Sequence, residues 1–392
     1  MKRLEFVASQ SAPKKIIRKL LSPKIFLPMS CPDFPLLLAI VGLTVFGWVM
    51  IYSSSALAAE TRYGDQYFFL KRQILWSLIG VFVFLVSSNI STVNWQKASR
   101  GFYFCSLLAL FLVLIFGREI GGAHRWIKIG PLNFQPSELA KLAVVFLIAD
   151  YMDRRQSRLK DFKRGLLPLL ILFSVPVALI FLEPDLGTPI LLGVVFAALL
   201  LIGGARWRHL FAMALSSLPL LVLALFQFRY RVNRLFAYLD PWADSKGKGY
   251  QLVQSLLALG SGGIFGRGLG NSRIKISSLP DPHTDFVFSV LGEELGLLGT
   301  LLCTALFFFL CLRGLKIAQG AGTCFGRLMA SGISLVIGGQ AVINMGVACG
   351  LWPTKGMPLP FVSFGGSSLV IILMSFGIIS SIARESRMAR EM

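Results

Sequence analysis

Three charged residues stand at the edges of long apolar runs. Glu138 and Lys141 begin the stretch that continues to Met152, and Asp285 directly precedes the apolar residues 286–291. Glu138 and Lys141 are three residues apart, so a helix places them on one face and permits an ion pair. A lysine one turn inside a membrane span usually has a partner, and Asp285 is the natural partner from another helix. A carboxylate held near an ammonium group at the membrane boundary can serve as a general base.

Each of these charges also has a simpler structural explanation. Glu138 lies in the first turn of its helix, where a negative charge complements the helix dipole. Asp285 or Thr284 can cap the helix that follows. Glu293 and Glu294 lie two turns deeper in the same run and favour a polar cavity inside a helical bundle. The residues alone leave capping and catalysis both open.

Several basic residues in three predicted outer segments, 118–136, 229–284 and 351–364, suit an anionic ligand. Arginine and lysine bind phosphate oxygens through charge-assisted hydrogen bonds. The candidates are Arg125, Lys128, Arg231, Arg234, Lys275 and Lys355. These residues predict a protein that binds or transforms an anionic lipid on the outer face of a membrane. A transporter explains them equally well, because polar residues and segments broken by glycine and proline also line a substrate path.

Long uncharged runs separate these residues and must position them. Of the 392 residues, 55% are hydrophobic and only 15% are charged, whereas soluble proteins are about a quarter charged. Nine runs approach or exceed the roughly 20 residues that cross a bilayer core as a helix, and 139–152, with its polar start, adds a tenth. The nine are 36–59, 73–96, 101–117, 165–182, 186–205, 209–228, 295–312, 328–354 and 356–383. Because lipid admits only helices and closed barrels, the sequence predicts an all-α polytopic integral membrane protein of about ten transmembrane helices.

The basic residues predict which face of this bundle meets the cytoplasm. With ten spans and both termini in the cytoplasm, 23 of the 39 lysines and arginines are cytoplasmic and 15 are external. Eight of those 15 lie in one large external loop, 229–284, between helices 7 and 8. Counting the uncharged residues 250–265 as another span would move six basic residues outside, so we interpret them as an interfacial or re-entrant piece. The net charge of +20 therefore meets anionic lipid and not nucleic acid.

The same count divides the chain into three parts. Residues 1–34 are predicted to form a basic cytoplasmic tail, 35–384 the ten-helix membrane domain and 385–392 a cytoplasmic C-terminal tail. The basic start shows no cleavable signal peptide. The three histidines are scattered, so no metal site is predicted. No cofactor is predicted from these residues, and a divalent cation, Mg²⁺ or Mn²⁺, is left open.

Seven segments, in order along nearly the whole chain, resemble the SEDS family of cell-wall proteins. They are Arg125-Trp126-Ile127, residues 135–141, 184–188 and 240–242, 249–251 with Gln254-Ser255, 283–286, and 353–361 with Ser363 and 365–368. The Thr354-Lys355-Gly356 triplet and the basic tail are similar to the division branch of the family. The chain departs from the family at a few positions. Glu183 stands where glutamine is common and Phe364 where tyrosine is frequent, and Ser278 and Asp281 replace a usual tyrosine and glutamate.

The resemblance implies a peptidoglycan polymerase in the bacterial cytoplasmic (inner) membrane, which joins lipid II into glycan strands on the outer face, at the division septum. The 4-hydroxyl of the acceptor GlcNAc attacks the anomeric carbon of the growing chain's MurNAc, and undecaprenyl diphosphate leaves. Asp285 is implied as the base, with Lys141 and Glu138 beside it. The residues that we expect at the substrate are Arg125, Trp126, Lys355, Arg231, His283, Gln254 and Ser255.

The resemblance also implies partners. The first is a single-span class B penicillin-binding protein, the transpeptidase that crosslinks the new strand, and other divisome proteins would join it. Three alternatives stay open at this point: a lipid II flippase, a polymerase of the elongation branch, and a non-catalytic divisome scaffold whose polar residues are structural.

Overall fold

The structure is a computed structural model that describes residues 33–120, 123–129, 132–226, 229–272 and 283–391. Within these residues the chain forms twelve α-helices and one small sheet. The helices are α1 (Phe34–Tyr63), α2 (Phe68–Asn89), α3 (Thr92–Phe116), α4 (Pro136–Arg154), α5 (Leu167–Leu182), α6 (Gly187–Ile202), α7 (Trp207–Phe226), α8 (Arg229–Leu239), α9 (Tyr250–Gly262), α10 (Val287–Gln319), α11 (Cys324–Ala348) and α12 (Gly366–Glu391). A 3-10 turn (Gln156–Arg158) and a π-helical turn (Phe162–Leu166) connect α4 to α5.

Among the described residues, seven helices are long and apolar enough to cross a membrane. They are α1, α2, α3, α5 with the π-helical turn before it, α10, α11 and α12. Helix α6 is apolar but has only 16 residues, and α4 carries Glu138 and Lys141 near its start. The predicted class, an all-α polytopic membrane protein, is confirmed, whereas the count of ten spans stays a prediction.

The most buried helices lie at the centre of the bundle. The apolar windows of α11 and α12 are 72% and 78% buried, against 22% for that of α10. Helix α4 is buried along nearly its whole length. Glu138 and Lys141 are tolerated inside this helix because α4 faces other helices and not lipid.

A three-stranded antiparallel sheet lies between α3 and α4, in a segment for which no strands were predicted from the sequence. Its strands are β1 (Arg118–Ile120), β2 (Ala123–Ile129) and β3 (Leu132–Phe134), with β2 in the middle. The Cα partners across β2 and β3 include Ile127 with Phe134. A search for apolar runs of membrane length cannot detect strands this short. We call the end of the bundle that carries the sheet the outer end, and the sheet fixes Arg125 there.

Helix α9 lies in the uncharged residues 250–265, which the distribution of basic residues argued against counting as a transmembrane span. It has 13 residues, too few for the roughly 20 that cross a bilayer, and it packs against α10 and α11. Gly296 interrupts α10 with a φ of 67°, a conformation that favours glycine. There the amides of Leu297 and Leu298 donate to the carbonyls of Gly263 and Ile264 in the loop after α9. The piece is therefore tied to the bend of α10, in keeping with the re-entrant interpretation.

A charged cluster holds the opposite end of the bundle. The carboxylate of Asp33 accepts hydrogen bonds from Arg313 on α10 at 2.9 and 3.0 Å and from Arg387 on α12 at 3.2 Å. As far as the chain is described, the predicted C-terminal tail, 385–392, thus continues α12, and its Arg387 belongs to this cluster. Of the predicted N-terminal tail, residues 1–32 lie outside the described residues. The other domain boundaries stay predictions.

Candidate active site

Four charged side chains gather at the outer end of the bundle. We call Arg125, Asp185, Asp285 and Lys355 the outer cluster. They come from β2, the loop between α5 and α6, the residues before α10, and the loop between α11 and α12. Arg125, Asp285 and Lys355 were predicted site residues, and the structure brings these three together although they are far apart in sequence.

Two backbone carbonyls orient the Arg125 guanidinium. Its Nε donates to the carbonyl of Glu183 at 2.8 Å, and its Nη2 donates to that of Pro184 at 2.5 Å. Its Nη1 faces Gly356. A Cβ atom added to Gly356 would lie 3.9 Å from Nη1 of Arg125 and 3.1 Å from Oδ2 of Asp285. The missing side chain of Gly356 therefore keeps open the space that both charged groups border.

The backbone at Asp285 is joined to the loop that follows α11. Nδ2 of Asn344 donates to the carbonyl of Asp285 at 2.8 Å and to that of Met357 at 2.7 Å. The amide of Phe364 donates to the carbonyl of His283 at 2.8 Å. These bonds hold the start of α10 and the 353–364 loop as one unit, so the carboxylate of Asp285 has a fixed position relative to this loop.

Asp185 has a structural task and also acts on Lys355. Its Oδ1 accepts from the amides of Gly187 at 2.8 Å and Thr188 at 3.2 Å, and its Oδ2 accepts from the Thr188 hydroxyl at 2.7 Å. It therefore caps α6. Burial lowers the pKa of the Lys355 ammonium group, and the Asp185 carboxylate offsets part of that shift. The outer cluster thus combines a permanent cation, Arg125, with a titratable one.

Lys141 does not form the expected pair with Asp285. Its Nζ donates to Oε1 of Glu138 at 2.9 Å and to Oε1 of Gln340. Oε2 of Glu138 accepts from the Ser368 hydroxyl at 2.9 Å. The prediction of a charged partner on another helix was wrong because it did not consider uncharged polar residues inside the spans. The buried ion pair joins α4 to α11 and α12 instead.

Gln340 links this buried network to the outer end. Its Nε2 donates to the carbonyl of Pro358 in the 353–364 loop at 2.8 Å. A small cavity of about 20 Å³ lies between α4, α11 and α12, with Glu138, Lys141 and Gln340 on its polar side and mainly aliphatic side chains elsewhere. The network therefore contacts the loop of the outer cluster through one amide side chain.

The other predicted site residues have varied positions. Trp126 is half-buried beside Arg125 on β2, and Gln254 is half-buried on α9. The Ser255 hydroxyl lies 2.6 Å from that of Ser289 and donates to the carbonyl of Ala348 at 2.7 Å. Ser255 therefore packs α9 against α10 and α11, and the structure does not bring it to the outer cluster.

Of the last two predicted site residues, His283 has a described side chain and Arg231 does not. His283 is buried, and its ring packs on Phe69 with centroids 4.3 Å apart. The side chain of Arg231 lies outside the described residues, as does Lys275. Among the side chains that are described, no three or more His, Cys, Asp or Glu residues gather as a metal site would require.

Two amide residues that hold the site were not predicted. Gln340 and Asn344 are four residues apart in the uncharged run 328–354, and both are buried. Polar side chains at helical spacing inside a span are a signal that they bond to another element. Glu183 and Asp185 lie in or beside a segment that carries the family resemblance, but no role was predicted for either residue.

The sequence is similar to proteins of known families. The cell cycle protein family FtsW/RodA/SpoVE matches residues 34–388. A probable peptidoglycan glycosyltransferase FtsW of Geobacter sulfurreducens is 42% identical over 353 residues, which is 90% of this chain and 95% of that protein. The stage V sporulation protein E of Bacillus subtilis is 39% identical over 358 residues, 91% of this chain and 98% of that one.

Solved structures give the same family. A chain of a peptidoglycan synthase complex, studied for its coordination of polymerization and crosslinking, superposes with a TM-score of 0.76 at 32% identity and covers 91% of this chain and 99% of that one. The rod shape determining protein RodA of Thermus thermophilus superposes with a TM-score of 0.68 at 29% identity, covering 91% and 97%. The chain therefore belongs to the FtsW/RodA/SpoVE family of cell cycle proteins, the SEDS family that its motifs resemble.

Proposed function

We propose that the chain is a peptidoglycan glycosyltransferase that polymerises lipid II at the outer face of the cytoplasmic membrane during septal wall synthesis. One observation carries the proposal. The Asp285 carboxylate and the Arg125 guanidinium border the same open space at Gly356, a base beside a fixed cation. Relatives named as glycosyltransferases FtsW support the reaction and the division role.

Asp285 and Arg125 suit the attacking group and the leaving group of one displacement reaction. Asp285 takes the proton of the acceptor's 4-hydroxyl as its oxygen bonds to the anomeric carbon of the donor sugar. The bond from that carbon to the diphosphate breaks, and undecaprenyl diphosphate leaves with the electron pair. Arg125, with Lys355 near it, stabilises the negative charge that develops on the leaving group. The hydroxyl becomes more acidic as its oxygen bonds to carbon, so a carboxylate is a sufficient base.

The proposed activity includes a partner. A class B penicillin-binding protein would crosslink the strand that this chain extends, and other divisome proteins would place both at the septum. The support is the solved relative in a peptidoglycan synthase complex, which coordinates polymerization with crosslinking. Trp126, His283, Gln254 and Arg231 stay candidates for contacts with lipid II.

Reconstitution tests the proposed function directly. The purified chain and its transpeptidase partner are placed in vesicles with lipid II, and products are separated by size. We expect glycan strands that a muramidase digests. Transfer of fluorescent lipid II across the vesicle membrane without strands would establish a flippase instead. If neither occurs, the chain is a scaffold, and the catalytic proposal is wrong.

The open space at Gly356 gives a sharper test. Alanine at this position is expected to slow polymerisation by about 10- to 100-fold, because its methyl group occupies the space between base and cation and misplaces the acceptor hydroxyl. Gly356 is exposed, so we expect the melting temperature to stay that of the wild type. Initial rates at saturating lipid II and thermal unfolding in detergent measure the two quantities.

Gly365 supplies the matched control in the same loop. The nearest atom to its added Cβ would be Cβ of Ser368 at 3.5 Å, an ordinary contact, so Gly365→Ala should polymerise at nearly the wild-type rate. Equal rates for Gly356→Ala and the wild type would show that the acceptor does not enter this space.

A further inference from the structure

Glu183 is a buried carboxyl group that the mechanism above does not use. It directly follows α5, and its side chain is fully buried. Neither of its carboxyl oxygens accepts a hydrogen bond from the described residues. Its backbone carbonyl, in contrast, holds Nε of Arg125 at 2.8 Å. The carboxyl group is thus kept close to the cation of the outer cluster without being paired to it.

An unpaired carboxylate is costly in such a place. Burying a charge without a partner is unfavourable enough that the group usually takes up a proton. A neutral acid next to Arg125 leaves the positive charge of the guanidinium uncompensated. An ionised carboxylate would compensate part of that charge, because the Glu183 carboxyl group and Arg125 are close enough to interact electrostatically. The protonation state of Glu183 therefore changes the net charge that borders the open space.

We propose that Glu183 is a positioning residue that controls how much positive charge Arg125 presents to the substrate's diphosphate. As a neutral acid it leaves that charge available for the leaving group, and as a carboxylate it cancels much of it. Losing its proton to water is the only chemical change involved. This inference rests on the proposed function, since it assumes that Arg125 meets a diphosphate.

The charges around Glu183 give the pH range. Burial raises the pKa of Glu183 to about 8, the nearby Asp185 carboxylate adds to the rise, and Arg125 opposes it. Lys355, in the 353–364 loop, interacts electrostatically with Asp185, and Asp285 borders the open space at Gly356. Glu183 is therefore neutral at pH 7 and becomes ionised in moderately alkaline solution. Polymerisation should weaken over that range.

A pH profile of polymerisation tests the inference. In the reconstituted complex, the wild-type rate should fall by about tenfold between about pH 7 and about pH 9. Glu183→Gln keeps the shape of the neutral acid but cannot ionise, so the ratio of its rates at these two pH values should be much closer to one. Lys355→Arg keeps its cation at both pH values, and its profile should retain the wild-type fall. A flat profile for Lys355→Arg with a wild-type fall in Glu183→Gln would assign the titration to Lys355 and overturn the inference.

Stability supplies a readout that does not depend on the reaction. The folded pKa of Glu183 lies above its ordinary value of 4.5, so the folded chain keeps a proton that the unfolded chain releases. Stability should therefore decrease as the pH rises from the ordinary value to about 8, and Glu183→Gln should lose that part of the decrease. Melting curves that change with pH identically in the wild type and Glu183→Gln would overturn this inference and leave the proposed function standing. A wild type that makes no glycan at any pH would overturn the proposed function and, with it, the role of Glu183.

Discussion

Replacing Asp285 with asparagine is expected to slow lipid II polymerisation by about 10²- to 10⁴-fold, the usual contribution of a general base. Asparagine has nearly the same shape, but its amide cannot take a proton from the acceptor hydroxyl. The fold should survive, because Asn344 binds the backbone carbonyl of Asp285 at 2.8 Å and the substitution does not change that bond. The measurement is the initial rate of strand formation by the purified complex, together with its melting temperature.

A second aspartate on the same side of the bundle provides the control. Asp65 lies in the loop between α1 and α2, where its carboxylate contacts Lys71 at 2.8 Å near the surface. Asp65→Asn should polymerise at the wild-type rate. An Asp285→Asn variant that retains its rate and its partner would show that another group removes the proton, and the assignment of the base would be wrong.

Composition and uncharged runs were sufficient for the class of fold. A chain with only 15% charged residues has few ways to fold other than as helices in lipid. That Arg125, Asp285 and Lys355 lie together was predictable only from their motifs. The periodicity of apolar residues does not show which outer segments meet in the folded chain. The small sheet escaped prediction because two of its three strands have only three residues, too few for an apolar pattern of their own.

Pairings between spans were the part that sequence reasoning could not supply. Lys141 was expected to find a charged partner, and Gln340 provides an amide oxygen instead. Ser255 shows the same difficulty, because a polar residue needed at a substrate and one needed for helix packing look alike in sequence. Its hydroxyl bonds to the ends of two neighbouring helices. Hydropathy shows how much of a helix is apolar, but not which neighbour each face meets.

Helix α11 connects the buried network to the outer cluster. Gln340 and Asn344, one turn apart, donate to the carbonyls of Pro358 and Met357 in the same loop. The ammonium group of Lys141 donates a hydrogen bond to the side-chain oxygen of Gln340. We therefore expect Lys141 to support the geometry of Asp285 through this loop, a different role from the direct contact that the sequence predicted.

Lys141→Met is expected to lower the free energy of unfolding by about 3–5 kcal/mol, because it leaves the Glu138 carboxylate buried without its cation. The side chains of Glu138 and Lys141 are only 6% and 5% exposed, so water cannot replace the lost partner. Adding Glu138→Gln removes the stranded charge, and the double variant should regain much of the loss. Unfolding by denaturant in detergent micelles, carried out on both single variants and the double variant, measures the coupling between the two residues.

The exposed pair of Lys71 and Asp65 is the matched control for this cycle. Its atoms are 2.8 Å apart, close to the 2.9 Å of the buried pair, but its side chains are 68% and 35% exposed, so Lys71→Met should destabilise the chain far less than Lys141→Met. If Lys141→Met proves as stable as Lys71→Met, the buried network does not stabilise the bundle. If that stable variant also fails to polymerise while Asp285 is intact, Lys141 takes part in the chemistry itself, as its position in the sequence first indicated. Loss of stability that Glu138→Gln restores, with activity restored in parallel, would instead establish Lys141 as a support for the loop that carries Lys355 and Gly356.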